Sequence, residues 1–426
     1  MVANIPYTGQ KRIIIVGSGF AGLKLAKKLS RQNFQIVLID RFNYHQFQPL
    51  FYQVATSGIE PSSISFPLRK IFHHKKSIHI RMAEVFSVDS ENNQIITSIG
   101  NIDYDYLVIA TGADTNYFGQ ENISKNAIPM KSVPEALGLR NTLLQNYEAA
   151  LSTCDQQQQI RLMNIVIVGG GPTGVELSGA IAEMKRYVLP KDFPELDFSK
   201  MSIFLVEAAP RILANMSEKS SKESQKYLQA DGVTVLTGVQ VTDFDGENVQ
   251  LSNGKEIPAY SLIWAAGIKG NILEGLDKAT VGRGNRIIVD SSNLVKGYTN
   301  IFAIGDVALL MDEQYPKGHP QVAQVAIQQA KLLAENFVNL SKNKPLLPFH
   351  YHDLGTLATV GRNNAVVDLP YVRFQGTLAW FVWMFIHLMA ILGVKNKLLI
   401  FINWAWNYFT YDQSLRLIIK QKSKIN

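Results

Sequence analysis

A short pattern occurs twice in this chain: an apolar run, a glycine-rich loop, a helix, and a second apolar run that ends in an acid. In the first copy, Lys11–Val16 is followed by the loop Gly17–Gly22 (GSGFAG) and by the helix Leu23–Arg31. The second run, Ile36–Ile39, ends at Asp40. Continuous apolar runs are typical of strands buried on both faces of a parallel sheet. The first copy therefore predicts a strand–helix–strand unit.

The second copy has the same order with a longer connection. A strand, Asn164–Val168, precedes the loop Gly169–Gly174 (GGGPTG) and the helix Val175–Tyr187, and the next strand ends at Glu207. The loop Pro190–Lys200 accounts for the greater distance between glycines and acid. Two such units imply two dinucleotides. In one chain these are usually a flavin that remains bound and a nicotinamide nucleotide that binds and dissociates in each turnover. Their order suggests FAD in the first unit and NADH in the second.

The three glycines of each loop have separate mechanical purposes. The first permits a tight turn, the second lets the backbone approach a pyrophosphate, and the third lets helix and strand pack closely. The helix N-terminus offers free N–H groups and a partial positive charge to the phosphates. The acid accepts hydrogen bonds from a ribose hydroxyl, and Glu207 would also repel the 2′-phosphate of NADP, which favours NADH. The glycines expected to contact the cofactors are Gly17, Gly19, Gly22, Gly169, Gly171 and Gly174.

These units predict an α/β fold with two Rossmann-like dinucleotide-binding domains, the second inserted in the first, plus a C-terminal amphipathic membrane-anchor region. A strand at Asn300–Ile304 indicates that the chain returns to the first domain, and a helix over residues 320–340 follows. The boundary between the two dinucleotide-binding units is predicted to fall in the polar segment Leu151–Arg161. The predicted domains are residues 1–113 and 290–345 for FAD, residues 114–289 for NADH, and residues 346–426 for membrane association.

Cysteine count and charge narrow the possible functions. The single cysteine, Cys154, cannot form an internal disulfide, a redox pair or an iron–sulfur cluster within this chain, and no metal site is predicted. The net charge of +7 suits nucleic acid or an anionic membrane surface. No nucleic-acid reader motif is present, so no nucleic-acid partner is expected and the membrane surface is favoured. The first apolar run is too short for a signal peptide, so we expect the protein to stay in the compartment where it is made.

The last fifty residues combine aliphatic, aromatic and basic side chains. The run Leu378–Val394, seventeen residues long and interrupted only by His387, is at the lower limit of about 17–25 residues for a spanning helix. A second stretch is Leu398–Phe409. We interpret the pair as amphipathic helices in the membrane interface, while a solvated basic tail, a buried core helix, a dimer interface and a single span remain alternatives. The tryptophans expected at headgroup level are Trp380, Trp383, Trp404 and Trp406. The basic residues expected near anionic lipid are Lys395, Lys397, Arg416, Lys420, Lys422 and Lys424.

Further motifs resemble the two-dinucleotide-binding-domain flavoproteins, and within them the type II NADH dehydrogenases, over nearly the whole chain. The segments that resemble the superfamily are Val108–Gly112 (VIATG), Trp264–Gly267 (WAAG) and Ile304–Val307 (IGDV). The segments that resemble the narrower family are Asn43–His45, Tyr52–Thr56, Thr173–Glu176, Ala323–Gln328 and Asn403–Tyr411.

The resemblance implies roles for individual residues. Asp306 is expected to hydrogen-bond FAD near its ribityl–phosphate region. Gln324 is expected beside the isoalloxazine, with Ala323 and Val325, and also facing the quinone pocket. Glu176 is expected near the nicotinamide and the flavin, and Glu176 and Gln324 are the catalytic candidates. The residues expected to line the NADH channel are Ala265, Ala266 and Gly267. The other cofactor contacts implied are Phe20, Ala21, Asp40, Arg41, Val85, Ala110, Thr111, Gly112, Pro172 and Thr173.

A purely structural role is the alternative for several of these residues. Asp306 could cap a helix, and Gln324 and Glu176 could be ordinary residues of a helix surface. His45 and His387 could carry protons near a quinone, but hydrogen-bonded structural histidines are the more common case.

The resemblance implies a non-proton-pumping respiratory-chain enzyme that passes a hydride from NADH to tightly bound FAD and two electrons to a membrane quinone, menaquinone or ubiquinone. It further implies a homodimer on the cytoplasmic face of a bacterial inner membrane. Sulfide:quinone oxidoreductases and disulfide reductases need redox cysteines, which Cys154 alone cannot supply. A soluble ferredoxin-type reductase would not need the Trp-rich tail. A non-catalytic nucleotide sensor or membrane scaffold is the alternative from another class.

Overall fold

A computed structural model describes residues 3–411 and 415–419 of the chain. Its internal contacts divide these residues into two units. The segments of unit 1 lie within Met1–Gln46, Phe66–Asp114 and Ile268–Asp353. The segments of unit 2 lie within Phe47–Ser65, Thr115–Gly267 and Leu354–Asn426. The basic residues Lys420, Lys422 and Lys424 lie outside the described residues.

The α-helices of the described residues range from four to nineteen residues in length. The α-helices are α1 (Phe20–Leu29), α2 (Phe51–Ala55), α3 (Leu68–Ile71), α4 (Glu121–Asn126), α5 (Val133–Leu151), α6 (Gln156–Met163), α7 (Pro172–Glu183), α8 (Leu189–Asp192), α9 (Glu218–Ala230), α10 (Ala323–Leu340), α11 (Thr377–Ala390) and α12 (Val394–Thr410). A π-helical turn, Met184–Val188, continues α7.

The strands are mostly short. Those of the first part of the chain are β1 (Arg12–Val16), β2 (Gln35–Asp40), β3 (Tyr44–Gln46), β4 (Ser65–Pro67), β5 (Ile78–Met82), β6 (Val85–Asp89), β7 (Gln94–Thr97), β8 (Gly100–Asp103), β9 (Tyr106–Ile109) and β10 (Ala113–Thr115). The next are β11 (Ile128–Pro129), β12 (Ile165–Val168), β13 (Ile203–Glu207), β14 (Val233–Thr237), β15 (Val241–Phe244), β16 (Asn248–Leu251), β17 (Glu256–Pro258) and β18 (Ser261–Trp264). The last are β19 (Ile268–Gly270), β20 (Val281–Gly282), β21 (Arg286–Val289), β22 (Ile301–Ala303), β23 (Ala308–Leu310), β24 (Thr356–Thr359), β25 (Ala365–Asp368) and β26 (Arg373–Gln375).

Unit 1 is built on a five-stranded parallel sheet with the order β22-β9-β1-β2-β5. In β1, Ile13 pairs with Ile36 of β2 on one side and with Tyr106 of β9 on the other. The branched residues of β1 are fully buried, as expected for a central parallel strand. The chain first builds outward from β1 through β2 and β5, then returns to its other side with β9 and β22. This reversal leaves a crevice at the carboxyl end of β1, where doubly wound folds bind their ligands.

Unit 2 has a similar five-stranded parallel sheet with the order β11-β18-β12-β13-β14, in which the edge strand β11 precedes the central strand in the chain. Here β12 is central, and Ile165 pairs with Ile203 of β13 and with Ser261 of β18. The order of strands again reverses at the central strand, β12. The prediction of two Rossmann-like units, with the second inserted in the sequence of the first, is confirmed.

The polar segment Leu151–Arg161, where the boundary between the two dinucleotide-binding units is predicted, contains a helix, because residues 156–163 form α6. Asp155 caps this helix by accepting a hydrogen bond from the backbone N–H of Gln157 at 2.9 Å. A run of glutamines gives no apolar periodicity, so the sequence pattern could not distinguish this helix from a loop.

The C-terminal segment of unit 2 contains a three-stranded antiparallel sheet, β24-β25-β26, followed by α11 and α12. Ala379 of α11 packs against Ala365 and Val367 of β25. Within the described residues, no helix has both the length and the apolar character that crossing a membrane requires. Trp383 and Trp404 are 1% and 8% exposed. Their predicted position at lipid headgroups is therefore wrong, because both indoles are packed inside unit 2.

Candidate functional site

In unit 1, the loop Gly17–Gly22 connects β1 to α1. Gly17 has φ +103°, and a Cβ there would clash with the carbonyl oxygen of Ala110. A Cβ on Gly22 would clash with the carbonyl oxygen of Gly17, whereas a Cβ on Gly19 would meet nothing within 4 Å. The first and third glycines therefore allow close packing within the protein, and the second leaves open space at the N-terminus of α1.

Asp40 ends β2 and holds the glycine loop. Its Oδ2 accepts hydrogen bonds from the backbone N–H of Ser18 at 2.6 Å and from the Ser18 hydroxyl at 2.7 Å. Its Oδ1 accepts from the backbone N–H of Phe42 at 2.8 Å. The carboxylate therefore has a fixed orientation at the carboxyl end of the sheet.

Other predicted contacts of unit 1 lie at the same edge of the sheet. The backbone N–H of Ala110 donates to the carbonyl of Val16 at 2.8 Å. Gly305, next to Asp306, has φ +77°, and a Cβ there would lie 3.2 Å from Cβ of Ala21. The structure therefore brings together the glycine loop, the end of β9 and the turn that contains Asp306.

The remaining predicted residues of unit 1 differ in exposure. Thr111 donates its hydroxyl to the carbonyl of Asn271, and the carbonyl of Gly112 accepts from the backbone N–H of Asn271 at 3.0 Å. Val85 packs against the core beneath the sheet, whereas Arg41 is exposed.

Helix α10 begins with Ala323, Gln324 and Val325. The hydroxyl of Tyr351 donates to Oε1 of Gln324 at 3.3 Å. Val325 is buried in the core of unit 1. Gln324 is thus oriented by a side-chain partner.

Unit 2 has the same loop geometry. Gly169 has φ +110°, and a Cβ there would lie 2.7 Å from the carbonyl oxygen of Ala265. A Cβ on Gly174 would clash with the carbonyl oxygen of Gly169, and a Cβ on Gly171 would meet nothing within 4 Å. Pro172 occupies the first turn of α7, where its missing N–H costs no helical hydrogen bond.

Glu207 ends β13 as Asp40 ends β2. Its Oε2 accepts from the backbone N–H of Gly170 at 2.5 Å, and its Oε1 accepts from that of Ala209 at 2.6 Å. The segment Ala265–Gly267 follows β18, and the ring of Phe118 lies where a Cβ of Gly267 would be. The predicted NADH residues of unit 2 therefore meet at one edge of its sheet.

A cleft of about 120 Å³ lies within unit 2. Helices α2, α7, α11 and α12 and the turn after β24 line it, and most of its wall is aromatic or aliphatic. Helix α12 is held by Trp404, whose indole N–H donates to Oε1 of Gln53 at 2.8 Å, and by Asn407, whose side chain donates to the carbonyl of Gly58 at 3.2 Å. The residues that line the cleft include Tyr52, Gln53, Glu176, Glu183, Thr359, Arg362, Trp383 and Tyr408.

Glu176 is not a solvent-exposed helix residue, because it is 7% exposed and lines this cleft. Its Oε1 accepts from the backbone N–H of Thr359 at 3.4 Å. Burial raises the pKa of Glu176 to about 8, so the carboxyl is largely protonated at neutral pH. Glu176 and Tyr52 also line a smaller pocket that contains Thr173 and Lys131. The two side chains therefore form the wall between the glycine-loop side of α7 and the cleft.

Glu183 is a second carboxyl in the same cleft, and the sequence reasoning missed it. Burial raises the pKa of Glu183 to about 7, while the positive charge of Arg362 opposes this effect. The only signal in the sequence is its spacing of seven residues from Glu176. That spacing places both on one helix face but does not show whether the face is buried.

The two histidines have structural partners. A ring nitrogen of His45, Nδ1, lies 2.8 Å from the carbonyl of Ser18, and Nδ1 of His387 lies 2.8 Å from that of Trp383. Burial lowers the pKa of each ring to about 4. Both rings are therefore neutral at physiological pH, which favours the structural interpretation.

Comparison with known proteins gives the family. The model of the pyridine nucleotide-disulphide oxidoreductases matches residues 11–330, and that of the NDH2 C-terminal domain matches residues 353–410. The type II NADH:quinone oxidoreductase Ndh of Mycobacterium tuberculosis is 34% identical over 427 residues, which cover 97% of this chain and 91% of that protein. The chain belongs to the type II NADH:quinone oxidoreductases. The resemblance noted in its motifs is confirmed.

Solved structures of this type II family and of a related enzyme share the fold. NDH2 from Plasmodium falciparum, in complex with NADH, has a TM-score of 0.88 at 22% identity and covers 96% of this chain and 100% of its own. The sulfide:quinone oxidoreductase from the hyperthermophilic bacterium Aquifex aeolicus has a TM-score of 0.71 at 20% identity, with 96% of each chain covered. The single, exposed Cys154 separates this type II chain from chemistry that needs a cysteine pair.

Proposed function

We propose that this chain is an NADH:quinone oxidoreductase that holds FAD in unit 1 and binds NADH in unit 2. The observation that carries the proposal is the repeated glycine loop. In each unit one glycine, Gly19 or Gly171, faces open space where a Cβ would meet nothing within 4 Å. A pyrophosphate fits this position because the N-terminus of a helix lies beside it.

FAD fits the residues of unit 1. The loop Gly17–Gly22 would hold its pyrophosphate, Asp40 its ribose, and Asp306 the region between phosphate and ribityl. The start of α10, with Ala323, Gln324 and Val325, would lie beside its ring. FAD, when bound, supplies the two-electron redox chemistry that side chains lack.

NADH fits unit 2, and Glu207 gives the preference over NADPH. Both carboxylate oxygens of Glu207 accept backbone hydrogen bonds. These bonds fix a negative charge where the ribose of the nucleotide would lie. A 2′-phosphate there would be repelled.

The quinone head group is proposed to enter the cleft of unit 2, with Glu176 as the proton donor to a quinone oxygen. The apolar walls suit a ring with a hydrocarbon tail. A carboxyl whose pKa is raised to about 8 carries a proton at neutral pH and can give it up when a stronger base forms next to it. Gln324, at the start of α10 in unit 1, is proposed as the second catalytic residue. The proposed reaction moves no proton across the membrane.

The outer faces of α11 and α12 are proposed to bind the membrane surface. Phe381, Phe385, Phe401 and Phe409 are each more than half exposed, and exposed apolar faces of this kind are typical of interfacial helices. The net charge of +7 favours anionic lipid. The homodimer, the cytoplasmic face and the choice between menaquinone and ubiquinone stay predictions.

The first test compares the steady-state oxidation of NADH and NADPH by purified flavin-loaded protein, with and without a short-chain quinone. We expect fast, quinone-dependent oxidation of NADH, with kcat/KM for NADH at least roughly tenfold above that for NADPH, which corresponds to about 1.4 kcal/mol of repulsion. The Glu207→Gln variant should lower the ratio of kcat/KM for NADH to kcat/KM for NADPH. The control is Glu218→Gln, which removes an exposed acid of α9 and should leave the ratio unchanged.

The other outcomes separate the parts of the proposal. Reduction of the flavin by NADH without quinone turnover would keep the dinucleotide sites and redirect the search to another acceptor. Flavin-loaded protein that does not oxidise NADH would favour a nucleotide sensor or scaffold instead.

A further inference from the structure

Three carboxyl side chains form a row in unit 2: Asp231, Glu183 and Glu176. Glu176 and Glu183 lie seven residues apart on α7, so they share one helix face about 10.5 Å apart along its axis. Asp231 follows α9. A Cβ on Gly361 would lie 3.4 Å from Oδ2 of Asp231 and 3.8 Å from Cγ of Glu183. The glycine therefore lies beside both acids and adds no side chain of its own there.

The row connects the surface to the inside of the cleft. The Asp231 side chain is 26% exposed and lies 4.0 Å from Nη1 of Arg186. At the other end, Glu176 is buried. The first carboxyl of the row is thus partly exposed to solvent, whereas the last is buried.

Glu183 occupies the middle of the row. Its Oε1 is fully enclosed and accepts no hydrogen bond from any residue of the described part of the chain. The guanidinium of Arg362 contributes the opposing positive charge and is held against the rings of Tyr408 and Tyr411, 4.3 and 3.9 Å from their centroids. The charged or titratable groups around Glu183 are Arg362, Asp231, Arg186, Tyr52, Tyr187, Tyr408, Tyr411 and Glu176.

Tyr52 lies close to both inner carboxyls. Burial raises the pKa of its phenol, and the charges of Glu176 and Glu183 raise it further. Its hydroxyl lies 3.2 Å from Oγ1 of Thr359 and accepts from the side chain of Gln53 at 3.0 Å. The hydroxyl groups of Tyr52 and Thr359 therefore line the same cleft as the two glutamates, and hydroxyl groups can pass a proton.

The proposed reaction needs such a path. A hydride from NADH supplies two electrons and one hydrogen nucleus, whereas reduction of a quinone to a quinol consumes two electrons and two protons. One proton per turnover must therefore come from solvent. An enclosed Glu176 can donate once, but it must then be reprotonated.

We propose that Glu183 takes a proton from the Asp231 end of the row and passes it across the cleft to Glu176. In each transfer an O–H bond breaks on the donor and forms on the acceptor oxygen, and no electrons move along the row. Glu183 acts through Glu176 and so is not itself a catalytic residue. The inference rests on the proposed function, because it requires a quinone to be reduced in this cleft.

The test uses the flavin-loaded full chain with Glu183→Gln, which keeps the size of the side chain but cannot exchange a proton. Quinone turnover at saturating NADH should fall about tenfold or more, within the range usual for loss of acid–base catalysis. Flavin reduction by NADH in a stopped-flow experiment should not change, and neither should turnover with ferricyanide, which accepts electrons without protons. A small weak acid in the buffer should restore part of the quinone rate. A merely structural role of Glu183 would not produce this pattern.

Further variants make the test decisive. Glu183→Asp should recover part of the rate because it keeps a carboxyl, and the exposed-acid control Glu218→Gln should match the wild type. If Glu183→Gln does not fold, Asp231→Asn at the exposed end should slow quinone turnover in the same selective way. Wild-type rates of quinone turnover in the folded Glu183→Gln variant from pH 6 to 9 would overturn the relay alone. Wild-type protein that reduces ferricyanide but no quinone would overturn the proposed function, and the relay with it.

Discussion

The glycines of the two loops are of two physical kinds. A Cβ on Gly22 or Gly174 would collide with the backbone of its own loop, whereas a Cβ on Gly19 or Gly171 would project into open space. Gly22 and Gly174 are required by the packing of the loop itself. Gly19 and Gly171 are instead required by the ligand that binds at the N-terminus of the helix. A sequence motif gives both the same letter, so only the structure distinguishes them.

This difference can be tested with two alanine variants of the second loop. Gly174→Ala should lower the melting temperature by several degrees, because overpacking at a site that cannot move costs about 1–3 kcal/mol or more. Gly171→Ala should melt like the wild type but raise the KM for NADH roughly tenfold, because its methyl group would occupy the space proposed for the pyrophosphate. Thermal unfolding followed by circular dichroism and steady-state kinetics give the two quantities. Equal losses of melting temperature would contradict the distinction.

At the residue scale, the sequence was informative where chemistry requires one residue type at one spacing. The glycines and terminal acids were found this way, and they meet at the sheet edges as expected. Glu183 was missed because a helical acid is usually solvated. Trp383 was wrongly assigned to lipid, because an indole in an apolar run looks the same whether it faces membrane or core.

Helix α12 makes polar contacts with the rest of unit 2 on one face and exposes apolar side chains on the other. The side chain of Asn396 donates to the carbonyl of Ser63 at 3.0 Å, and Asn407 donates to that of Gly58. The opposite face of α12 carries Phe401 and Phe409, which are 53% and 81% exposed. This is the reverse of a helix at a water-exposed surface, where the apolar stripe faces the core.

We expect the double variant Phe401→Ser with Phe409→Ser to lose most of its binding to vesicles that contain anionic lipid. Removing two large apolar side chains from an interfacial helix removes about 1.5–3 kcal/mol each at full burial. The matched control is Phe86→Ser with Ile96→Ser, which removes exposed apolar side chains of unit 1, 49% and 39% exposed. Flotation with vesicles measures the binding. Both variants should keep wild-type turnover of a short-chain quinone in detergent, and equal vesicle binding by the two would refute the role of α12.

The sequence predicted the bounds of single helices and strands better than the contacts between them. The apolar runs gave β1, β12 and α10 to within a few residues. The packing of α12 on α2, through Trp404 and Gln53, joins positions 351 residues apart. No local periodicity encodes such a contact, so the cleft that it closes could not be predicted from the sequence.

At the scale of the whole molecule, the cleft carboxyls make stability depend on pH. Burial raises the pKa of Glu176 to about 8 and that of Glu183 to about 7, from the value of 4.5 that is usual for a solvated glutamate. Both groups therefore bind protons more tightly in the folded than in the unfolded protein. Their favourable contribution is complete below about pH 4.5 and is lost as the pH rises through 7 and 8.

The double variant Glu176→Gln with Glu183→Gln removes this dependence, since an amide does not ionise. Each unit of pKa shift corresponds to about 1.4 kcal/mol, so the pair accounts for several kcal/mol of unfolding free energy between pH 5 and 9. The melting temperature of the wild type should fall over this range by several degrees more than that of the double variant. Subtracting the two curves cancels the titration of histidines common to both proteins. The exposed-acid control Glu218→Gln should follow the wild type, and parallel curves for the double variant would mean that the two carboxyls are already ionised in the folded protein at pH 5.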